Sequence, residues 1–367
     1  METKNTLLLN RSDVQDLLGL TECIAAVEKA FRWQGEGKIS PPGILGVGTQ
    51  GGGLHVKTAC LSGAKTYIAA KLNTNFPQNH ARFGLPTIQG VIVLYDAENG
   101  RALAVLDSIE ITVKRTAAAT AVAAKYLART NSSVATICGC GEQGRVQIRA
   151  LSLTLPLRKV FAFDVDPNAS LRLAAQLSRE FQIDTEPVRS LPGVMQSSDV
   201  IVTCTPATEF FVQKENIAAG TFIAAVGADD SHKQEIDPAL MSSAKVVADS
   251  IEQVCAIGDT RHAIAAGLMR KEDVYADLSG IVAGRKPGRT SDVKSPSSIA
   301  LAWRSKMLLP QRSFMKKRAR QKSSTVSSSP PEYEMDDARE NQGSVRCSFF
   351  SASGSRPQNA DANPTSH

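Results

Sequence analysis

The chain has 367 residues, 42% of them apolar, with a formal net charge of +6, which suffices for one large or two medium domains with real cores. Residues 293–367 hold twelve of the 42 Lys and Arg and six of the 36 Asp and Glu, so residues 1–292 carry 30 of each sign. That neutral body gives no electrostatic reason to expect nucleic acid, and no stretch approaches the ~18–20 apolar residues of a membrane span.

The opening Met1–Asn10 has too short an apolar run for a signal peptide. Residues 12–35 read as two helices. Ser12 can cap the first, with Val14, Leu17 and Leu18 on one face, and Thr21 the second, with Ile24, Val27 and Phe31 at helical spacing. Strand-like runs follow at Gly53–Lys57, Thr66–Leu72 and Gly90–Tyr95; the turn signal Asp96-Ala-Glu-Asn-Gly100 then predicts Leu103–Leu106 as a hairpin partner. This first part reads as an α+β module. A long Ala-rich helix, about Ile109 to Arg129, leads out of it.

The apolar run Val134-Ala-Thr-Ile-Cys138 ends in Gly139-x-Gly141-x-x-Gly144 and opens a helical pattern of Val146, Ile148 and Leu151. A second run, Lys159–Phe163, closes on Asp164. Strand, glycine turn, helix and spaced acid together have the layout of a dinucleotide site. The glycines allow close approach to a pyrophosphate, the helix start offers unpaired N–H groups, and the acid can accept ribose hydroxyls. Asp199–Thr203, Thr221–Val226 and Lys245–Ala248 are further short apolar runs, so residues 134 to about 281 read as a doubly wound parallel sheet. The seven cysteines are scattered and odd in number, without metal-ligand spacing; Cys138 and Cys140 read as packing residues. That pattern suits a reducing cytoplasm and calls for no metal.

Four stretches occur in order: Leu85-Pro-Thr-Ile-Gln-Gly90, Asp107–Ala118 with its Lys-Arg-Thr-Ala-Ala run, the glycine turn with Gln143, and Val226-Gly-Ala-Asp-Asp-Ser-His-Lys-Gln-Glu235. Together they resemble the ornithine cyclodeaminase/mu-crystallin family over about residues 5–292. The resemblance implies an α/β fold, a Rossmann-type doubly wound sheet plus an α+β substrate and dimerisation domain. It divides the chain into a substrate and dimerisation domain at 1–128, a dinucleotide-binding domain at 129–292, and a disordered tail at 293–367. It also implies NAD(P)-dependent chemistry on α-amino acids or their imines, in a cytoplasmic homodimer without nucleic-acid or membrane partners.

Hydride transfer to an imine carbon needs a clamped carboxylate, an acid or base near nitrogen, and exclusion of water. Arg115 and Lys71 match the family's substrate-facing cations, Thr87 a substrate-contacting threonine, and Asp229 the catalytic aspartate, with Asp230 as its rival. Gly139, Gly141, Glu142, Gln143 and Gly144 would surround the pyrophosphate, and Asp164 would hold the adenosine ribose. Thr203 is expected along the dinucleotide, and Thr116, Val226 and Gly227 complete the cofactor set from the matched motifs. A carboxylate at 164 repels a 2′-phosphate, which favours NAD(H) over NADP(H). Asp166 is the alternative acid, and some relatives accept either cofactor.

The cyclodeaminase branch would place an acidic residue near His55 and an arginine near Gly43. This chain departs at both places, and a largely neutral histidine is a poor counter-ion for a distal ammonium. The expected activity is therefore reduction of a cyclic ketimine, Δ1-pyrroline-2-carboxylate to proline, with His55 near the substrate or simply structural. Ornithine cyclodeaminase is the alternative within the family, and a non-catalytic ligand-binding member is the alternative outside catalysis.

After Asp292 the character changes. Sixteen of the last 75 residues are serine, and Lys316–Lys322 is a basic run, the composition of a disordered tail or of a nuclear or nucleic-acid patch. A third reading is a shifted frame. With suitable codons, and each codon begun at the old third base, Val293 through Arg318 becomes E-I-T-I-F-D-S-T-G-M-A-L-E-D-V-A-A-A-A-V-V-Y-E-K-A-R. That string restores the family's ending and an apolar helical pattern. A single-base deletion near codon 293 is the expectation, with the basic run an accident of translation.

Overall fold

The computed structural model describes residues 5–39, 43–61 and 65–290 and the backbone of 298–302. All of these belong to one compact unit.

The chain enters through β1 (Leu7–Leu9), α1 (Arg11–Leu17) and α2 (Leu20–Gly35). The helix caps differ from the sequence expectation. Asn10, not Ser12, caps α1: its Oδ1 accepts from the Asp13 N–H at 2.9 Å, while the Asp13 carboxylate accepts from the Asn10 N–H at 3.1 Å. Each helix therefore starts earlier than expected, and α2 starts at Leu20, one residue before Thr21, after Gly19. An asparagine oxygen closes a capping box as well as a serine does, so composition alone did not separate the two.

Next come β2 (Gly43–Thr49), β3 (Gly52–Leu61), β4 (Tyr67–Asn75), α3 (Asn79–Phe83), β5 (Ile88–Asp96) and β6 (Ala102–Asp107). They form a six-stranded sheet in the order β1-β6-β5-β4-β3-β2. Only the β1–β6 pairing is parallel. The expected hairpin of β5 and β6 is present; β1 and β2 were not anticipated. Period-two alternation sorts the side chains. Ile92, Leu94 and Leu106 are buried on the inner face, whereas Leu8, Leu45, Val47, Ile68 and Val91 lie exposed on the outer one.

α4 (Ile109–Leu127) follows. Ala117 through Ala124 are buried on every side, as a helix sandwiched in a core requires. The small side chains let α2 and α5 pack closely on it.

The second half alternates strands and helices: β7 (Val134–Cys138), α5 (Glu142–Ser152), β8 (Lys159–Phe163), α6 (Pro167–Phe181), β9 (Asp184–Pro187), α7 (Pro192–Ser197), β10 (Val200–Thr203) and β11 (Phe222–Ala225). It continues through α8 (Pro238–Ser243), β12 (Val247–Ala248), α9 (Ile251–Val254), α10 (Asp259–Ala265), β13 (Ala276–Asp277) and α11 (Leu278–Val282) to β14 (Ser298–Ala302). The eight strands are parallel, in the order β13-β12-β14-β11-β10-β7-β8-β9. Val200 and Val202 enter one core and Ile201 the other, so both faces of the sheet are covered. Winding reverses between β7 and β10, which leaves a crevice at the carboxyl ends of these strands. Among the described residues no helix is long and apolar enough to cross a membrane.

β14 is the one described stretch of the C-terminal segment. Ser298–Ala302 falls inside the segment expected to be a disordered tail, yet it pairs with β11 and β12. A gap between two parallel strands leaves backbone N–H and C=O groups unpaired on both sides, and main-chain pairing there depends little on which apolar residues fill it. The rest of 291–367 lies outside the described residues.

Asp199 holds the two central strands in place. Its Oδ2 accepts from the Ser133 and Val134 N–H groups at 2.8 and 3.1 Å, and its Oδ1 pairs with Arg129. Asp199→Ala leaves a guanidinium and two N–H groups without that acceptor, and should cost about 2–4 kcal/mol of unfolding free energy. Chemical denaturation is the check: an unchanged midpoint would remove Asp199 from this role.

Candidate active site

The glycine turn follows β7, at the crevice. Gly139 sits at φ +97° with the Cys204 carbonyl 2.8 Å from where a Cβ would be, so the turn is closed to larger residues. A Cβ on Gly144 would lie 2.0 Å from the Gly139 carbonyl oxygen, which ties α5 tightly to its own strand. At Gly141 nothing lies within 4 Å of a would-be Cβ. Among the described residues no side chain caps α5, which leaves its first N–H groups available to a phosphate.

Asp164 stands beside this turn at the end of β8. Its Oδ2 accepts from the Cys140 N–H at 2.7 Å and its Oδ1 from the Asp166 N–H at 3.0 Å, which fixes the carboxylate while leaving lone pairs for hydroxyl donors. The alternative acid, Asp166, is occupied as the cap of α6, accepting from Asn168 N–H at 2.9 Å and pairing with Arg172. Glu142 is drawn to Arg11, at 2.8 Å. Gln143 is half-buried, its Nε2 without a partner among the described residues. Cys138, Cys140 and Cys204 pack against the turn; burial pushes the Cys140 thiol up to about 12, so these are thiols, not thiolates.

The cations come from the other sheet. Lys71 of β4 lies on the inner face, and its Nζ donates to Thr112 Oγ1 of α4 at 2.8 Å. Ser108 Oγ, one turn earlier, donates to Asn73 Oδ1 at 2.8 Å. These two rungs fasten the start of α4 to β4 and bring Arg115, three residues past Thr112, beside Lys71. Burial, then the charges of Arg115 and Lys57, push the Lys71 ammonium down to about 6. Arg115 is lowered by burial, against the carboxylates of Asp249 and Asp229. Asp249 and Asp229, both from the second half of the chain, are the carboxylates whose charges reach Arg115.

Asp229 lies in the loop after β11, and Lys233 Nζ donates to its Oδ1 at 2.7 Å. The Asp230 carboxylate instead accepts from the His232 and Lys233 N–H groups, at 2.7 and 3.0 Å, and closes the turn. Val226 and Gly227 begin the same loop.

Other expected residues are placed differently. Thr203 is fully buried at the end of β10, and its hydroxyl donates to Glu235 Oε2 at 2.7 Å. The Thr116 hydroxyl donates to the Thr112 carbonyl at 2.7 Å. Thr87 is half-buried just before β5, with its carbonyl accepting from Phe76 N–H. His55 is exposed on the inner face, opposite Asn73. It lines a cleft of about 440 Å³ with Gly46, Gly53 and Asn75, apart from Lys71, Arg115 and Asp229. Sequence reasoning missed Thr112, Asn73, Ser108, Glu235 and Asp259. The spacing of Thr112 three residues before Arg115 was the one available signal, since it places both on one helix face.

The sequence profile of the ornithine cyclodeaminase/mu-crystallin family matches residues 4–295. The chain belongs to that family. Its relatives include the alanine dehydrogenase of Archaeoglobus fulgidus, 36% identical over 288 residues, or 78% of this chain and 87% of that protein. Among solved structures, an archaeal alanine dehydrogenase dimer with bound NAD superposes with a TM-score of 0.80 at 33% identity, covering 88% of this chain and 98% of its own. The Δ1-pyrroline-2-carboxylate reductase of Thermococcus litoralis, in complex with NADH and L-proline, gives 0.77 at 30% identity, covering 87% and 98%. The family match ends where the sequence changes character.

Two glycines of the turn, Gly144 and Gly141, make opposite demands. Gly144→Ala should destabilise the fold through its clash with Gly139. Gly141→Ala should leave the melting temperature unchanged while weakening NADH by about tenfold or more, because only a ligand meets the new methyl group. Intrinsic fluorescence titration with NADH measures this, and unchanged affinity in Gly141→Ala would exclude the turn as the pyrophosphate site.

Proposed function

We propose that this chain is an NADH-dependent reductase of α-imino carboxylates, with the cyclic ketimine Δ1-pyrroline-2-carboxylate as substrate and L-proline as product. The observation that carries the reading is the convergence of Lys71 and Arg115, two partly buried basic side chains held side by side, with the charges of Asp249 and Asp229 reaching Arg115. Burial and the charge of Arg115 push Lys71 toward its neutral form, and an anion set against the pair would restore its charge. A substrate carboxylate does this, and a guanidinium offers it two parallel donors.

Gly139, Gly141, Gln143 and Gly144 would hold the dinucleotide phosphates and Asp164 the adenosine ribose, with NAD(H) favoured and NADP(H) a possible substitute. Bound there, the nicotinamide supplies the hydride that the imine carbon accepts. Arg115 and Lys71 fix the carboxylate and so the face of the C=N bond. Asp229, kept in place by Lys233, orders or relays the proton at the substrate nitrogen, and the C=N double bond becomes a C–N single bond with its carbon reduced. Thr87 lies at the rim of this substrate side.

The inner face favours a reductase over a cyclodeaminase. His55, Lys57 and Lys71 lie on it in consecutive register pairs, and none offers a counter-charge to the distal ammonium of ornithine. The alanine dehydrogenase relative favours a second reading, an open-chain imine formed from a 2-oxo acid and ammonia. The apolar outer face of the six-stranded sheet, with Leu8, Leu45, Val47, Ile68 and Val91 exposed, fits a second copy of the chain, since a patch of this kind is rarely left in water.

The test is NADH oxidation with Δ1-pyrroline-2-carboxylate, with pyruvate plus ammonia, and NAD+ reduction with ornithine, on this chain and on one with the frame restored from codon 293. Turnover of the cyclic imine by the restored chain, with little by the present one, is expected, and light scattering should show the restored chain as the firmer dimer. Turnover of ornithine alone would overturn the reductase reading, and equal turnover by both chains would overturn the shifted frame.

A further inference from the structure

Glu235 is fully buried in the parallel-sheet half and pairs with no cation among the described residues, yet its carboxylate collects four donors. Oε2 accepts from Thr203 Oγ1 at 2.7 Å and from Gly227 N–H at 2.8 Å. Oε1 accepts from the N–H and the hydroxyl of Thr205, both at 2.7 Å. The backbone of Glu235 is equally committed: its N–H donates to Asp259 Oδ1 at 2.7 Å, and its carbonyl accepts from Phe211 and Val212. Asp259 sits at the start of α10, and its Oδ1 also takes the Ile236 N–H at 2.9 Å. One buried side chain therefore joins the ends of β10 and β11, and the backbone of the same residue ties them to the start of α10.

The bond from Gly227 closes residues 227–235 into a ring, and Asp229 lies in it. Lys233, which orients Asp229, lies in it too. A Cβ at Gly227 would come within 2.3 Å of the Thr205 carbonyl and 2.5 Å of Glu235 Oε1, so the closure is as tight as backbone allows.

We propose that Glu235 is the positioning residue for Asp229: by drawing Gly227, Thr203 and Thr205 onto one carboxylate it fixes the height and direction of Asp229 over the crevice. This rests on the role given above to Asp229. Four donors on two oxygens call for the anion, because a carboxylate has acceptor sites for all of them and an amide does not. Glu235→Gln keeps size and shape but turns a donor toward at least one of the four.

The experiment uses the full chain, with or without the restored frame, whichever turns over. Hydrogen exchange over 227–236 should quicken about tenfold in Glu235→Gln while 139–144 stays unchanged. The kcat should fall by about 10- to 100-fold, as expected of a catalytic group displaced by a fraction of an ångström to one ångström, with NADH affinity within about threefold. Added to Asp229→Asn, Glu235→Gln should cost nothing more, since the group it positions is already gone. Thr205→Val, which removes one hydroxyl donor and keeps the carboxylate, should show the same pattern more weakly and stands in should Glu235→Gln not fold. A kcat loss that multiplies with that of Asp229→Asn, or unchanged exchange over 227–236, would overturn the assignment. Full activity of Asp229→Asn would instead overturn the role of Asp229, while the exchange result would still report whether Glu235 holds the ring.

Discussion

Two basic side chains are held together in this protein where water reaches them poorly, and much of the architecture serves that juxtaposition. Lys71 stands on a central strand of the six-stranded sheet, and Arg115 on the helix that covers it. The paired hydrogen bonds of Lys71 to Thr112 and Asn73 to Ser108 act as two rungs between strand and helix. They fix the rotation of α4, so Arg115 cannot turn away from Lys71. The alanine run further along α4 lets the helix sink between both halves of the molecule, which carries the cations to the edge of the second sheet. There the negative charges nearest to Arg115 belong to Asp249 and Asp229.

The parallel sheet contributes a different kind of constraint, one of space. At the reversal of winding between β7 and β10 the glycine turn is packed on two sides and open on the third. Gly139 and Gly144 have no room for a side chain, while Gly141 has room that the protein itself leaves unused. The loops after β10 and β11 are then braced from below by Glu235 and Asp259. Both carboxylates are raised by burial, Asp259 to about 7 with the charge of Glu235 adding to it. A buried acidic pair of this sort lowers stability unless its hydrogen bonds are complete. Its presence beneath the loop of Asp229 fits a demand of geometry more than one of folding.

Much of this was legible in the sequence for identifiable reasons. The glycine turn could be read because steric exclusion leaves few alternatives at Gly139 and Gly144, and the acid at 164 because strand length sets its spacing. The hairpin of β5 and β6 announced itself through its turn residues. What could not be read depends on partners distant in the chain. β1 is three residues long and exists because β6 is beside it. β2 is glycine-rich, with weak strand propensity, and is held by β3. Thr203 was legible as a strand end, but its hydroxyl partner was not, since only the fold brings Glu235 beneath it. Glu235 itself looks like an ordinary acid in a polar loop.

The central claim, that Lys71 and Arg115 form the site of an anionic substrate group, can be tested without turnover. With the Lys71 ammonium pushed down to about 6, it is largely neutral near pH 8 in the free protein. A carboxylate set against it favours the charged form and raises it again. Binding should therefore take up a proton near pH 8 and none well below pH 6, where Lys71 is already charged. The measurement is calorimetric titration of the NAD+-loaded full chain with pyrrole-2-carboxylate, a ring carboxylate that cannot be reduced, in buffers of different ionisation enthalpy. Uptake of about one proton near pH 8, lost in Lys71→Met, is the expected result. Binding without uptake, or uptake that persists in Lys71→Met, would contradict the assignment of these two cations to the substrate.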